Sequence, residues 1–446
     1  MANALTDPES GGLIRVLGPW DLAFFLVGTV IGSGIFLVPS EIARVVDSEP
    51  LILGIWVVGG ALTLLGVISM AELGAALPSP GGMYTYLSRA YGKLAGFLCG
   101  WTMFTVITSG AIATLAAAFV IYLGGLVSLS SGSARAVSIG LILALTGANV
   151  LGIRAGSAVQ NVLAALKIAG LAGMTIAIFA LPARAPKLPS MTSPKAPGFA
   201  AIGIALVAVF WAYEGWHDAS FVAGETRDPQ RSFPLGCVLG ELVIIGLYLA
   251  ANVAYFRVMS VAEIAASPRV GLAAIAKVAG PWGGRALTAA IMCSILGAMN
   301  GSILAGPRSY FQMSRDGLLP EGLGGVHPRF RSPAASIVLQ GVWSCLLVLF
   351  LGGFSQLFTY VIFGGWLVYG LAVAAVIVLR VKEPDLARPF RVPLYPAAPA
   401  AFVAASLGLM ISTIVQRPRE SLLGLGFIAL GVPMYFLLRR PATAAD

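Results

Sequence analysis

Long apolar segments alternate with short polar ones along the whole chain. They lie near residues 19–46, 51–77, 94–125, 135–150, 155–181, 199–224, 233–257, 284–313, 334–352, 356–380, 395–416 and 421–438. Most reach the roughly 20 residues that an α-helix needs to cross a bilayer core. The pattern predicts twelve membrane-spanning helices in a single all-α domain covering residues 1–446, with no appended soluble domain. Between the second and third segments, the stretch from Pro78 to Arg89 is too polar to span. It predicts a turn followed by a short interfacial helix. The connection from Val258 to Gly283 predicts short surface helices.

Two of the segments are interrupted. The first carries Thr29-Val30-Ile31-Gly32-Ser33-Gly34-Ile35-Phe36, with two glycines around a hydroxyl at mid-span. Glycine is a poor helix former. A break at membrane depth leaves backbone N–H and C=O groups unpaired, which is tolerated only where the backbone is buried in protein or lines a wet cavity. The same glycines equally suit a close contact between two helices. The sixth segment carries Trp211-Ala212-Tyr213-Glu214-Gly215-Trp216-His217-Asp218, where a carboxylate adjoins a glycine inside an apolar run and a second carboxylate follows. Charge at that depth marks a pathway or a partner by default. Interrupted segments in corresponding positions of two halves point to inverted repeats with a binding site where the halves meet. The repeats then run over 19–181 and 199–380, with two further helices over 395–438.

A broken helix offers both kinds of recognition group. Its second half begins with free N–H groups at the positive end of the helix dipole, which suit a carboxylate. Its first half ends in free carbonyls, which suit an ammonium. The two sets are about one helical turn apart, the spacing of the two charges on an α-amino acid. Ser33 adds a hydroxyl.

Composition narrows the class. The chain of 446 residues is 58% hydrophobic and 11% charged, with a mean hydropathy of +0.89. Soluble domains carry about 25% charged residues. The net charge of +9 is therefore read as basic residues at a cytoplasmic face and not as affinity for nucleic acid. The polar, acidic start up to Ser10 has no secretory signal pattern. The basic bias favours the side of the N-terminus, most sharply where Arg380, Lys382, Arg388 and Arg391 share a loop and Arg439 and Arg440 end the last span. Arg184, Lys187 and Lys195 count against it. An even number of spans puts both termini on one side, expected to be the cytoplasm. Cys99, Cys237, Cys293 and Cys345 all fall in apolar segments, and His217 and His327 are far apart. Neither a disulfide framework nor a metal site is indicated, and no cofactor is expected.

Lys167 lies near the centre of the fifth span, about 20 Å from Arg154 at its start. Snorkelling does not reach that far. The ammonium is either a fixed cation standing where another transporter binds sodium, or a group that takes up and releases a proton. The bland alternative is a structural lysine on backbone carbonyls. Glu72, near the end of the second span, and Glu241, near the start of the seventh, read as interfacial or packing charges. Tyr248, Asn252 and Asn300 are mid-span polar groups suited to bonding neighbouring helices. Gly28/Gly32, Gly96/Gly100 and Gly236/Gly240 have the spacing of close helix contacts.

These stretches, taken in order, resemble the amino acid–polyamine–organocation superfamily, and within it the L-type amino acid transporter family. The marks are Ile31 to Phe36; Ala71-Glu72-Leu73-Gly74 before Gly81-Gly82-Met83-Tyr84; Gln160-Asn161 before Lys167; and Ala212 to Trp216. Glu225 with Asp228-Pro229, Tyr248 with Asn252 to Phe256, Asn300-Gly301-Ser302, Ser314 to Pro320 and Arg388-Pro389-Phe390 complete them. The resemblance covers essentially the whole chain. It implies a five-plus-five inverted-repeat (LeuT-like) fold with two extra C-terminal helices, and alternating access for an amino acid. By position, the substrate carboxylate would meet the backbone at Gly32, Ser33 and Gly34, and its amino group the carbonyls near Val30 and around Trp211 and Ala212. Trp211 would be an aromatic lid. Lys167 would replace a sodium site and link the end of the first half-helix to Tyr248. Glu214 stands where many relatives have glycine or aspartate, which favours an amine-bearing substrate or a pocket closed to large side chains. The loop after the third span lacks the cysteine with which animal members bind a glycoprotein subunit. That implies a chain working alone, as in a bacterial plasma membrane, in an undetermined oligomeric state.

The reading is thus a secondary amino acid transporter, either an exchanger or a proton-coupled symporter. A carrier of cationic amino acids or polyamines is the alternative that Glu214 raises, and a transporter-fold sensor a further one. No Ser/His/Asp set, zinc pattern or phosphate loop points to an enzyme. His217 beside Asp218 is the best pair on offer, and adjacent helical residues do not face each other.

Overall fold

The computed structural model describes residues 15–151, 153–184, 187, 198–350, 354–416 and 418–439. The polar start up to Ser10, Lys195 and Arg440 lie outside the described residues, as does the side chain of Arg154. The first interrupted segment is two helices, α1 (Pro19–Val30) and α2 (Gly34–Ala43), bent by 47° at the glycines. Then come α3 (Glu49–Ala76), the short α4 (Met83–Tyr91), α5 (Lys93–Thr102), α6 (Thr108–Leu123), α7 (Ser131–Val150) and α8 (Ile153–Ala180). A π-helical turn over Met103–Ile107 joins α5 to α6. The second interrupted segment is α9 (Phe199–Ala212) followed by a 3-10 helix over Trp216–Glu225.

The remaining helices are α10 (Pro229–Val258), α11 (Val261–Ala266), α12 (Val270–Ala305), α13 (Pro307–Arg315), α14 (Ala334–Phe350), α15 (Phe354–Lys382), α16 (Ala397–Gln416) and α17 (Pro418–Leu438). Among the described residues ten helices are long and apolar enough to cross a membrane, or eleven when the bent pair α1–α2 counts as one span. The shorter apolar α14 lies at the ninth expected segment. The expected short helices are present as α4 and α11, and α12 starts early and kinks at Gly280-Pro281.

Core positions follow from small residues. α10 lies against α1 and α3. A side chain at Gly236 would meet the Pro19 carbonyl at 2.6 Å, and one at Gly240 the Ala23 carbonyl at 3.0 Å. The Gly236/Gly240 spacing therefore does bring two backbones together. α12 lies against α8, α6 and α1, while α16 and α17 pack on α15, α3 and α5 at the periphery. Exposed Leu, Val and Ile side chains on α16 and α17 face outward, where lipid is an adequate solvent for them.

Two carboxylates tie distant segments. Glu72, at the end of α3, accepts from Arg380 Nε and Nη2 at 2.9 and 2.6 Å and from the Val392 amide at 2.7 Å. Arg388 lies 3.5 Å away. Glu225 is paired with Arg308 of α13, both buried. Glu72 is thus a packing charge, as its position suggests. Glu241 is not: it lies well inside α10 and is fully buried, so the expectation of an interfacial or packing charge near the start of that span fails.

Removing one partner from a buried ion pair costs about 3–5 kcal/mol. Glu72→Ala is therefore expected to lower the temperature at which the purified protein loses its monodisperse peak in size-exclusion chromatography. An unchanged profile after heating would show that this junction does not hold the α3 and α15 ends together.

Candidate functional site

α1 stops because Gly32 and Gly34 weaken the helix and Ile31 turns to an extended conformation (φ −73°, ψ 91°). The carbonyls left free at the break are taken up by side chains from other helices. Lys167 Nζ, from α8, donates to the Gly28 carbonyl. Tyr248 of α10 donates to Val30 O at 3.3 Å. Ser294 of α12 donates to Ile31 O at 2.8 Å. On the other side of the break, the first N–H groups of α2 have no partner within the helix, as at any helix start. The Ser33 side chain does not cap them, and its buried hydroxyl has no hydrogen-bond partner among the described residues.

The second break is made by Gly215, at φ +108°, a left-handed conformation that favours glycine. Space demands glycine there as well, since a side chain would lie 3.0 Å from the Thr29 carbonyl. Thr29 Oγ1 donates to Gly215 O at 3.2 Å. A side chain at Gly34 would lie 2.5 Å from Ala212 Cα. The two breaks are therefore pressed together, backbone on backbone. Tyr248 fastens them, because the same hydroxyl also donates to Ala212 O at 2.8 Å.

Between the breaks is a cavity of about 30 Å³, counted as room for the centre of a water molecule; one water needs about 10–15 Å³ on that measure. One wall is Val30, Gly32, Ser33 and Gly34, with Trp211 beside them. The π-helical turn contributes Ile107, next to Thr108 of α6. Such turns often occur at functional sites. The opposite wall is polar: Glu214, His217, Asp218 and Ser302. Glu214 accepts from Tyr369 of α15. His217 stacks on Tyr369 with ring centroids 4.6 Å apart. Its Nδ1 is 3.7 Å from Glu214 Oε1 and its Nε2 is 3.3 Å from Asp218 Oδ1. Neither ring nitrogen makes a hydrogen bond among the described residues. Ser302 donates to Asp218 Oδ2 at 3.3 Å.

Trp211 separates this cavity from a second one of about 170 Å³, lined by residues that include Leu37, Ser40, Glu41, Arg44, Ile121 and Pro268. The lead into α1 is bonded to the end of the 3-10 helix. The Val16 and Leu17 amides donate to Glu225 O at 2.9 and 3.0 Å, and the Arg227 amide donates to Leu17 O at 2.8 Å. The buried Glu225–Arg308 pair lies beside this parallel bridge.

Of the residues singled out from the sequence, Val30, Gly32, Ser33, Gly34, Trp211 and Glu214 line one cavity. Ala212 packs behind it against Gly34. Lys167 and Tyr248 stand behind the first break, where each holds its own carbonyl. The expected link between these two is a shared stretch of backbone and not a direct bond. Asn300 bonds Asn149 at 2.8 Å and Gln160 at 3.1 Å, as a mid-span polar group should, and Asn252 bonds within its own helix.

Sequence reasoning missed Ser294, Thr108 and Tyr369, single polar residues on apolar spans far away in the chain, and named Ser302 only within Asn300-Gly301-Ser302, with no role at the site. It set aside His217 and Asp218 as an unfit enzyme pair, and the structure turns both toward the cavity. Among the described residues no group of three His, Cys, Asp or Glu is placed to hold a metal ion.

The arrangement sets helix N–H donors, backbone carbonyls and a polar wall around a space for a small solute. Comparison with known proteins agrees. Residues 17–434 match the family described as amino acid permease. The chain is 29% identical over 97% of its length to the serine/threonine exchanger SteT of Bacillus subtilis, covering 98% of that protein. It is 30% identical to the b(0,+)-type amino acid transporter 1 of Mus musculus, over 97% of this chain and 89% of the relative. It is also 30% identical to the human cystine/glutamate transporter, over 92% and 83%. Because the match runs from the lead of α1 into α17, with both breaks inside it, this chain is a multi-pass membrane protein of the amino acid permease family.

Proposed function

We propose that the protein carries small L-amino acids across the membrane by alternating access, as a transporter and not an enzyme. The observation that supports this is the pair of broken helices pressed together around a cavity whose two walls differ. The α2 N-terminus at Gly32 to Gly34 suits the substrate carboxylate. Carbonyls around Val30 and Trp211 suit its ammonium. The narrow space between the breaks favours a short side chain, directed at Glu214, His217 and Asp218. Trp211, between the cavity and the larger outer space, is the lid.

The scaffold in this reading is twelve spans, with α14 counted as the ninth: two inverted repeats over 19–181 and 199–380 and two helices over 395–438. Both termini face the cytoplasm of a bacterial cell, and the basic residues of the loop after α15 face the same side. The segment between α6 and α7 has no cysteine, so the chain works without a disulfide-linked glycoprotein subunit. Lys167, held on Gly28 O, serves as the fixed cation that steadies the end of α1. Exchange is one mode of the carrier, supported by relatives such as the serine/threonine exchanger.

A second reading has one observation behind it. Glu214 and Asp218 both line the cavity, and two carboxylates favour a side chain that brings an amine. Purified protein in liposomes tests both. With unlabelled serine inside, labelled serine is expected to enter faster than into empty vesicles, and leucine and tryptophan are expected to compete poorly. No flux with any of the twenty amino acids would overturn the proposal. If short diamino acids compete better than serine, and Glu214→Gly removes that advantage, the cationic reading replaces the neutral one.

Gly34→Val tests the cradle. Its side chain collides with Ala212, and displacements of about 1 Å at a site can cost on the order of a hundredfold in rate. Uptake is expected to fall by about that factor at unchanged membrane abundance. Wild-type uptake would remove the contact between the breaks from the mechanism.

A further inference from the structure

Among the described residues four carboxylates are buried: Glu72, Asp218, Glu225 and Glu241. The first three have partners in Arg380, Ser302 and Arg308. Glu241 is 0% exposed, and neither of its oxygens has a hydrogen-bond partner among the described residues. It stands twelve residues into α10, about 18 Å along the helix and so near the middle of the span.

Its surroundings place it beneath the site. The preceding residue, Gly240, packs on Ala23 and Leu26 of α1. One turn further on, Ile245 shares the Gly60 surface of α3 with the Tyr213 hydroxyl; a side chain at Gly60 would lie 3.0 and 2.8 Å from them. Tyr213 is the first residue of the second break, and its hydroxyl makes only a long bond, 3.5 Å, to Trp56 O. The rings of Trp56, Tyr213 and Tyr248 pack together with centroids 5.1 to 6.1 Å apart. Through Tyr248 this cluster holds the carbonyls of both breaks.

On α1 the charged side chain is Asp21, which accepts from the Gly18 amide and from Asn161, and α3 carries Glu49 and Glu72 near its two ends. The titratable groups near it are Tyr213 from the break and Cys237 and Tyr248 on α10 itself. Tyr86 of α4 lies near Cys237. His217, on the 3-10 helix, is stacked on Tyr369, and Lys167 of α8 is committed to Gly28 O. Among the described residues no cation is bonded to the carboxyl group.

We propose that Glu241 is a proton-binding site that couples substrate movement to proton movement. An ionised carboxylate without partners in an apolar interior costs far more than the fold can supply, so in this closed arrangement the group is a neutral acid. It can ionise only when water enters. That happens when the 3-10 helix after Gly215 parts from the α1 lead and carries Tyr213 with it. The O–H bond then breaks, the proton passes to water on that side, and the carboxylate takes the freed Tyr213 hydroxyl as donor. The substrate-loaded pathway closes with the proton back on Glu241 and releases it to water on the far side, whereas the empty pathway closes with the carboxylate still held by the Tyr213 hydroxyl, so one proton crosses with each substrate. Proton and substrate therefore favour the same closed state, and each tightens the binding of the other.

The inference rests on the transport reading above, and one set of measurements separates the two. In proteoliposomes, an imposed pH gradient is expected to drive accumulation of the substrate by the wild type. Glu241→Gln is expected to keep exchange at symmetrical pH within about twofold (roughly 0.4 kcal/mol) and to lose the gradient-driven accumulation. Gradient-driven accumulation by the Gln variant, or none by the wild type, overturns the proposal while exchange still upholds transport. No exchange at all by the wild type overturns transport itself. A second measurement is independent of how the Gln variant folds. Substrate added to purified wild type in weakly buffered solution is expected to raise the pH through proton uptake, and a constant pH overturns the proposal.

Discussion

The contact on which the rest depends is that of Gly34 with Ala212 and of Gly215 with Thr29. Two helices are interrupted inside an apolar layer, where an unpaired backbone group costs several kcal/mol. Neither interruption is tenable alone. Pressed together, each shields the other, and the gap that remains is lined by the polar groups that a zwitterion needs. Glycine is required at Gly34 and Gly215 because the backbones come within contact distance.

Other helices finish what the breaks leave open. Lys167, Tyr248 and Ser294 each supply a donor to one carbonyl of the first break, replacing helix bonds with side chains from α8, α10 and α12. Each of the three satisfies a particular backbone group, and α8, α10 and α12 are thereby keyed to the first break. The remaining N–H groups, at the start of α2, stay available.

Much of this was legible in the chain. Hydropathy located the helical segments, because a membrane leaves few alternatives to a long apolar helix. The glycines of the first segment and Glu214-Gly215 of the sixth marked the breaks, because both violate what such a helix prefers. The polar wall was legible only in Glu214. Ser302 and Thr108, which line the cavity, and Tyr369, which bonds Glu214, carried no sign of that role, and only the packing of α6, α12 and α15 brings them to one place. Glu241 was misread for a related reason. A sequence shows that a carboxylate lies within a span, but not whether a neighbouring helix brings it a partner. Glu72 and Glu241 look alike in the chain; one has two arginines and an amide, and the other has no hydrogen-bond partner among the described residues.

The bridge between Leu17 and Thr226 sets how the closed side opens. The Val16 and Leu17 amides share one acceptor, the Glu225 carbonyl, and the Arg227 amide returns to the Leu17 carbonyl. Each contributes about 1 kcal/mol net, so the amide bonds of this ribbon alone amount to only a few kcal/mol. That is comparable to the differential affinity a ligand must have to move a two-state equilibrium decisively. A latch of this strength is firm enough to prevent leakage through an empty carrier and weak enough for a single bound solute to release.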